Sequence, residues 1–161
     1  MNRWMLGLLF CALGGCAASG GSKPEPTPVG DPNMNLGNFS VSLTVKDIAA
    51  SRAFYEALGF RVKTDMGQGN WMVLQNGSTT IGLFQGMFDR NMLTFNPGWD
   101  SAAQPLGSFK DVREIQADLI AKGIKPTLTT DPAGTGTGFI MLADPDGNPV
   151  LIDQHVPGPK K

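Results

Sequence analysis

Polar and apolar side chains alternate along residues 39–46, and a helix-like run that begins at an aspartate follows them. The alternation has the period of about two residues that predicts a half-buried strand. Asp47 fits a helix N-cap, because its carboxylate can accept hydrogen bonds from the free amides of the first turn. The apolar stripe then predicts a helix over 48–58, and Gly59 can take the left-handed conformation that ends it.

Three further strands are predicted after this helix. They cover 60–64, 70–75 and 79–85, with Asn76 and Gly77 as the tight turn between the last two. The order of elements is therefore βαβββ. The helix stripe expected to face the sheet comprises Ile48, Ala49, Phe54, Tyr55 and Leu58.

The same pattern returns further along the chain, since Asp111 follows Asp47 by 64 residues (111 − 47). The second copy is predicted to hold a strand over 104–110, a helix with Val112, Ile115, Leu119 and Ile120 on its apolar face and Gly123 at its end, and strands over 124–130, 139–143 and 149–154. Each copy alone is small for an independent core. We therefore predict one α+β domain over 39–156, made of the repeats 39–100 and 104–155, with a tail at 157–161.

The composition and the charge agree with a single globular domain. The chain has 161 residues, of which 41% are hydrophobic and 17% are charged. Its formal charge is −1, and Lys and Arg do not cluster beyond Lys160 and Lys161. These features argue against a nucleic-acid partner.

The N-terminus carries a separate signal. An apolar run over 4–13 follows Arg3, which predicts a secretion signal, and it is shorter than the roughly 20 residues that a membrane span needs. Residues 13–16 (Leu, Gly, Gly, Cys) resemble the lipobox of bacterial lipoproteins, in which cleavage precedes the cysteine and a diacylglycerol is attached to its sulfur. The alternative is an ordinary signal peptide with an incidental cysteine.

The lipobox resemblance implies a signal peptide over 1–15 and an anchor to the lipid bilayer through Cys16. Ala17 stands where an aspartate would retain the protein in the inner membrane, so the outer membrane is favoured. Residues 16–38 are rich in Gly, Ser and Pro and predict a flexible tether. Removal of Cys11 and acylation of Cys16 would leave no thiol in the domain, which excludes disulfides and cysteine nucleophiles.

Several stretches of the domain resemble the vicinal oxygen chelate superfamily, which includes glyoxalase I, extradiol dioxygenases, and bleomycin- and fosfomycin-resistance proteins. The resemblance rests on the paired βαβββ units, on the runs 41–47, 51–55 and 58–60, and on the closing Asp-Pro-Asp-Gly-Asn at 144–148. It covers residues 39–155. It implies a curved mixed sheet around a cup, with the helices outside.

Enzymes of that superfamily usually hold a divalent metal in the cup with His, Gln or Glu side chains from four strands. The resemblance places these four positions at Ser40, Gly82, Gln104 and Leu151. A hydroxyl and an amide without a carboxylate or imidazole partner are weak ligands for a divalent cation. We therefore expect no cofactor, and a divalent metal with atypical ligands is the alternative.

The polar faces of the predicted strands should line the cup. The candidate ligand-binding residues are Ser40, Ser42, Thr80, Phe84, Gln104, Leu151 and Asp153. Hydroxyls, an amide and a few apolar groups suit a polar small molecule bound by hydrogen bonds.

Asp153 and His155 lie two residues apart on one strand face, so the carboxylate could orient the imidazole for proton transfer without a metal. The alternative is a solvated histidine at the end of the strand. Between the repeats, Phe95 and Trp99 are candidates for the mouth of the cup or for a homodimer contact. The alternative there is that 92–95 forms an edge strand or plug and Trp99 packs over the sheet.

The sequence thus favours a membrane-anchored, metal-free protein that binds a small-molecule ligand. One alternative is an enzyme of the lyase, isomerase or dioxygenase type, which uses either a metal with atypical ligands or the pair Asp153 and His155. The other alternative is an envelope scaffold whose cup has lost its function.

Overall fold

The structure is a computed structural model that describes residues 30–31, 33–65 and 69–159. The predicted signal peptide, Cys16 and most of the predicted tether lie outside these residues. Within the described ranges, no helix is long and apolar enough to cross a bilayer.

Two helices and seven strands make up the described part of the domain. In chain order they are β1 (Asn38–Val45), α1 (Ile48–Ala57), β2 (Arg61–Asp65), β3 (Trp71–Asn76), β4 (Thr79–Gln85), β5 (Met92–Asn96), α2 (Val112–Ala121), β6 (Gly138–Ala143) and β7 (Pro149–Gln154). The strands form one mixed sheet in the order β2-β3-β4-β1-β5-β7-β6. The predicted α+β class is therefore confirmed.

Both helices begin and end as the sequence predicts. The Asp47 carboxylate accepts from the Ala50 amide, and Asp111 forms a capping box with Glu114. Gly59 and Gly123 follow the helices with positive φ angles of 89° and 81°. The caps depend on local backbone geometry, which explains why sequence spacing alone located them.

A glutamine side chain completes each helix start from the neighbouring strand. The side chain of Gln85, at the end of β4, accepts from the Ile48 amide at 2.9 Å. The side chain of Gln154, at the end of β7, accepts from the Val112 amide at 2.7 Å. The two units are therefore built alike in a detail that the sequence analysis did not anticipate.

The prediction of a strand over 104–110 is wrong. The strand that pairs with β1 and β7 at the centre of the sheet is β5, within the stretch predicted to be a connector. Residues 104–110 form a loop with a single bridge between Trp99 and Pro105. The 64-residue offset holds for the helices only, because β1 ends two residues before Asp47 (47 − 45), whereas β5 ends 15 residues before Asp111 (111 − 96).

The prediction of a strand over 124–130 is also wrong, since only Leu128 forms a bridge, to Met141. Pro126 has no amide to donate. The amide and carbonyl of Thr130 bond the side chain of Gln116 instead of a strand. The second unit therefore begins at β5 rather than at residue 104, and contributes three strands to the sheet where the first contributes four.

The helices cover one face of the sheet with two apolar clusters. The first comprises Ile48, Met72, Leu74, Ile81 and Leu83, and the second comprises Val112, Ile115, Ile140 and Ile152. The predicted stripe of α1 is partly wrong, because Ala49, Phe54 and Leu58 are exposed, Phe54 by 61%. Only the narrow line of Ile48, Ser51 and Tyr55 turns toward the sheet.

Candidate functional site

The face of the sheet opposite the helices carries most of the predicted ligand-binding residues, and we call it the cup face. Cross-strand pairs place Ser40 beside Thr80 and Ser42 beside Gly82 on this face. Thr94 pairs with Leu151 in the second unit. Ser40, Ser42 and Thr80 are all buried, so they form the floor of this face.

Gln104 does not lie on the cup face, which corrects its prediction as a ligand-binding residue. It is exposed in the loop after β5, where its side-chain amide donates to the Ala102 carbonyl at 3.3 Å. The pairing shows which residue replaces it. Ser42 and Thr94 hold equivalent places, 52 residues apart (94 − 42), so the equivalent of Ser40 is Met92 (40 + 52).

The alternation of Met92, Thr94 and Asn96 with Leu93 and Phe95 was the signal for β5 in the sequence. All three even-numbered side chains are buried. The alternative of an edge strand over 92–95 is therefore confirmed as a strand, but it lies between β1 and β7 rather than at an edge. The strand equivalent to β1 was wrongly predicted at 104–110, because the spacing of the two helices was applied to the strands that precede them.

Met92 therefore replaces Gln104 among the positions that correspond to the metal ligands of the family. The corrected set is Ser40, Gly82, Met92 and Leu151. A Cβ atom at Gly82 would lie 2.5 Å from Cε2 of Phe84, so the Phe84 ring covers the place where a ligand side chain would start. A thioether and a hydroxyl are a poor donor set for a divalent cation. Among the described residues, no three or more His, Cys, Asp or Glu side chains are grouped to hold a metal ion. These residues do not fit the metal centre of the family.

The floor of the cup face is joined by hydrogen bonds between its own side chains. The hydroxyls of Ser42 and Thr94 lie 2.8 Å apart. Asn38 donates to the Thr80 hydroxyl at 3.4 Å, but its own Oδ1 has no partner although the residue is only 3% exposed. A buried acceptor of this kind calls for a donor from water or from a ligand.

Three aromatic rings stand on the cup face of the first unit, and we call them the aromatic wall: Trp71, Phe84 and Phe88. Trp71 stacks on Phe84 with centroids 6.0 Å apart, and Phe84 contacts Phe88 at 5.0 Å. Trp71 is half-buried on this wall.

A cavity of about 470 Å³ opens beside β6 and β7, and we call it the polar groove. Its lining comprises Thr129, Thr130, Asp131, Thr137, Gly138, Phe139, Asp153, Gln154 and His155. Nε2 of His155 lies 3.1 Å from Oδ2 of Asp153. The imidazole also stacks on Trp99, with centroids 4.9 Å apart and planes inclined by 17°. The structure therefore brings Asp153, His155 and Trp99 together.

Phe95 is not part of this group, and its prediction as a mouth residue is wrong. Its side chain packs against the second apolar cluster on the helix face, and its ring contacts Phe39 at 5.2 Å. The odd-numbered residues of β5 point toward the helices, whereas the mouth requires the even-numbered face.

Arg113 of α2 holds the backbone on one side of the polar groove. Its guanidinium donates to the carbonyls of Asp131 and Thr137, each at 3.2 Å, and to the carboxylate of Asp111 at 3.0 Å. Burial of Asp111 raises the pKa of its carboxyl, but hydrogen bonds from Arg113 and Gln154 outweigh this effect, so the pKa is lowered overall. Sequence spacing gave no sign of the contacts with Asp131 and Thr137, because these residues lie 18 and 24 positions from Arg113 in the chain.

A second cavity, of about 440 Å³, lies on the helix side between α1 and β1 and includes Phe54, Tyr55 and Asn91 in its lining. No carboxylate or imidazole lines it. The polar groove is therefore the better candidate site, since it combines hydrogen-bonding, ionisable and aromatic groups.

Comparisons with known proteins agree with the fold. The model of the Glyoxalase/Bleomycin resistance protein/Dioxygenase superfamily matches residues 39–152. No curated protein matches the chain. A superfamily member from Vibrio splendidus is similar in structure, with 17% identity, a TM-score of 0.50 and coverage of 72% of this chain and 97% of that one.

Two further solved structures carry enzyme names. Methylmalonyl-CoA epimerase from Streptomyces coelicolor has 15% identity, a TM-score of 0.52 and coverage of 75% of this chain and 99% of that one. A protein from Legionella pneumophila named NAD-dependent benzaldehyde dehydrogenase has 18% identity, a TM-score of 0.53 and coverage of 73% and 98%. At these identities the likeness concerns the fold, and one fold hosts many chemistries.

Proposed function

Since this chain belongs to the Glyoxalase/Bleomycin resistance protein/Dioxygenase superfamily, we propose that it binds a small molecule in the polar groove without the help of a metal ion. The observation that carries the proposal is the groove itself. Its volume of about 470 Å³ lies within the range of roughly 300 to 1,000 Å³ that is usual for small-molecule sites. Its lining combines hydroxyls, a carboxylate, an imidazole and an aromatic ring.

The metal-free part of the proposal rests on the residues at the four family positions. Ser40, Gly82, Met92 and Leu151 offer one hydroxyl and one thioether between them. None of these positions lines the groove, and among the described residues no three or more His, Cys, Asp or Glu side chains are grouped to hold a metal ion.

A ligand screen by thermal shift tests the proposal, with Thr137→Trp as the variant that fills the groove. Thr137 is an exposed lining residue, so the larger ring should occupy the groove and leave the core intact. A true ligand at 100 times its dissociation constant should stabilise the wild-type protein by about 2.7 kcal/mol. Thr137→Trp should lose this shift.

Gln104→Leu is the matched control, because Gln104 is exposed outside the groove and outside the cup face. It should keep the full shift. A ligand that still produces its thermal shift in Thr137→Trp binds elsewhere. The proposal is contradicted if a broad screen finds no ligand whose thermal shift is lost in Thr137→Trp. Metal analysis of the same protein should find no stoichiometric divalent ion.

We further propose that the protein is a lipoprotein anchored in the bacterial envelope through Cys16, with the outer membrane favoured. Residues 13–16 support this proposal, as does the tether-like composition that follows them. Two or more acyl chains give stable membrane attachment. Radiolabelled palmitate should be incorporated into the wild-type protein and not into Cys16→Ala, and equal incorporation in both would refute the anchor.

An enzyme without a metal is the second candidate, and the distance of 3.1 Å between Asp153 and His155 favours it. A carboxylate beside an imidazole can support proton transfer at a bound substrate. If the protein catalyses such a step, His155→Gln should abolish turnover of the ligand that the screen finds while binding persists.

The predicted homodimer remains a prediction, which the mass of the full-length protein by light scattering would test.

A further inference from the structure

We infer that the polar groove selects an organic ammonium ion, a ligand that carries an amine next to a planar apolar group. This inference rests on the proposed function and specifies the ligand class of the same groove. The groove offers negative charge, an accessible aromatic face and hydroxyl acceptors.

The charged side chains that line the groove favour a cation. They are Asp131, Asp153 and His155, and neither a lysine nor an arginine belongs to the lining. The nearby Arg113 directs its guanidinium at the Asp111 carboxylate and at two backbone carbonyls. The lining itself thus holds two carboxylates and one imidazole, which lies 3.1 Å from Asp153, and the carboxylates favour a cation over an anion.

An aromatic ring lies directly beside one of these carboxylates. Phe139 of β6 and Asp153 of β7 are cross-strand partners, so their side chains project from the same face of the sheet as neighbours. Phe139 is 49% exposed. A cation within about 6 Å of a ring centroid is attracted by the π face, and a carboxylate at the ring edge adds to that attraction. The pair therefore forms a combined anionic and aromatic surface.

The remaining lining can accept the hydrogen atoms of an ammonium group. Thr129, Thr130 and Thr137 each bring a hydroxyl, which can accept as well as donate. Gln116 bonds both the amide and the carbonyl of Thr130, at 2.8 Å and 3.1 Å. This part of the lining is thus held in place before a ligand arrives, which reduces the entropy lost on binding.

Three probes that share a phenyl group and differ in charge test the inference: phenethylammonium, phenethyl alcohol and phenylacetate. Binding to the full-length chain is followed by NMR through the ring signals of His155, the only histidine of the chain. The ammonium should bind about fivefold more tightly than the alcohol, the combined effect of an ion pair and a cation–π contact at a half-exposed site. Phenylacetate should bind least. Concentrated salt should weaken the binding of the ammonium and leave the affinity for the alcohol unchanged.

Asp153→Asn keeps the shape of the side chain and removes its charge, so it should clearly reduce the preference for the ammonium over the alcohol. Phe139→Leu keeps an apolar side chain and removes the π face, so the affinity for the ammonium should fall while the affinity for the alcohol changes little. Asp146→Asn is the matched control, since Asp146 is an exposed carboxylate in the turn 144–148, outside the groove. It should leave all three affinities as they are.

The ligand class is wrong if the alcohol or the anion binds as tightly as the ammonium, or if none of the three probes moves the His155 signals. Either result leaves the proposed function to be judged by the broad screen, in which Thr137→Trp decides whether a ligand of another class occupies the groove. An ammonium preference that is undiminished in Asp153→Asn would likewise overturn the inference.

Discussion

The two units of the domain place different chemistry at equivalent points of the cup face. Gln85 and Gln154 cap their helices in the same way, so Phe84 of the first unit corresponds to Asp153 of the second, each one residue earlier. Phe84 pairs with Trp71, and Asp153 pairs with Phe139. The first unit thus carries a closed aromatic wall, and the second carries an acid beside an exposed ring.

This difference shows how a duplicated fold can separate stability from binding. In the first unit, the Phe84 ring fills the space above Gly82 and leaves no room for a ligand side chain. In the second unit, the corresponding space beside Asp153 opens into the polar groove. A symmetric backbone therefore does not imply two equivalent sites, because the side chains decide which half stays open.

The two capping glutamines provide the largest expected contrast between the units. Gln154 is fully buried and bonds the Val112 amide, the Asp111 carboxylate and the Val156 carbonyl, whereas Gln85 is exposed and bonds the Ile48 amide. Each buried polar group left without a partner costs about 1 to 3 kcal/mol. Gln154→Leu should therefore lower the free energy of unfolding by about 3 kcal/mol, and Gln85→Leu by about 1 kcal/mol. Urea denaturation measures both, and equal losses would contradict the contrast.

Gly82 and Phe84 should be coupled, with a somewhat smaller effect. Gly82→Ala forces a Cβ to within 2.5 Å of the Phe84 ring, and overpacking of this kind costs about 1 to 3 kcal/mol. Phe84→Leu should restore most of that loss in the double variant, because the shorter side chain vacates the space above residue 82. If the losses of the two single variants simply add in the double variant, the ring does not close this position.

Acid should weaken the start of α2, and this is the smallest of the three effects. Because the pKa of Asp111 is lowered in the folded protein, its stabilising effect is complete above its ordinary value and is lost as the pH falls through the lower folded value. Asp111→Asn should flatten the stability profile in that acidic range. Urea midpoints between pH 2 and pH 5 would measure the slope, with Asp144→Asn as the comparison, whose exposed carboxyl also has a lowered pKa through bonds from Asn148. An unchanged slope in Asp111→Asn would contradict the assignment.

The local features of the fold were accessible from the sequence. Asp47 and Asp111 marked the helix starts, Gly59 and Gly123 marked their ends, and six of the seven described strands were predicted close to their observed positions, as the comparison of 79–85 with Thr79–Gln85 shows. These features depend on residues a few positions apart. Periodicity and capping chemistry record such short-range preferences directly.

The errors arose where a distant partner decided the outcome. Residues 92–96 form a central strand because they pair with β1 on one side and with β7 on the other. Residues 104–110 form a loop, although the 64-residue offset between the helices predicted a strand there. Because a strand was predicted at 104–110, Gln104 was included in the predicted site and Met92 was not. The contact of His155 with Trp99 likewise joins residues 56 positions apart (155 − 99), which no local pattern encodes.

The sequence by itself determined the paired helices, their caps and the alternation that separates a helix face from a cup face, because each of these follows from residue type and short-range spacing. Only the tertiary structure decided which stretch supplies the fifth strand, that Phe84 closes one half of the cup face, and that Asp153, Phe139 and His155 meet around an open groove. The physical reason is that strand pairing and cavity shape depend on contacts between residues far apart in the chain, whose net free energies a single sequence does not display.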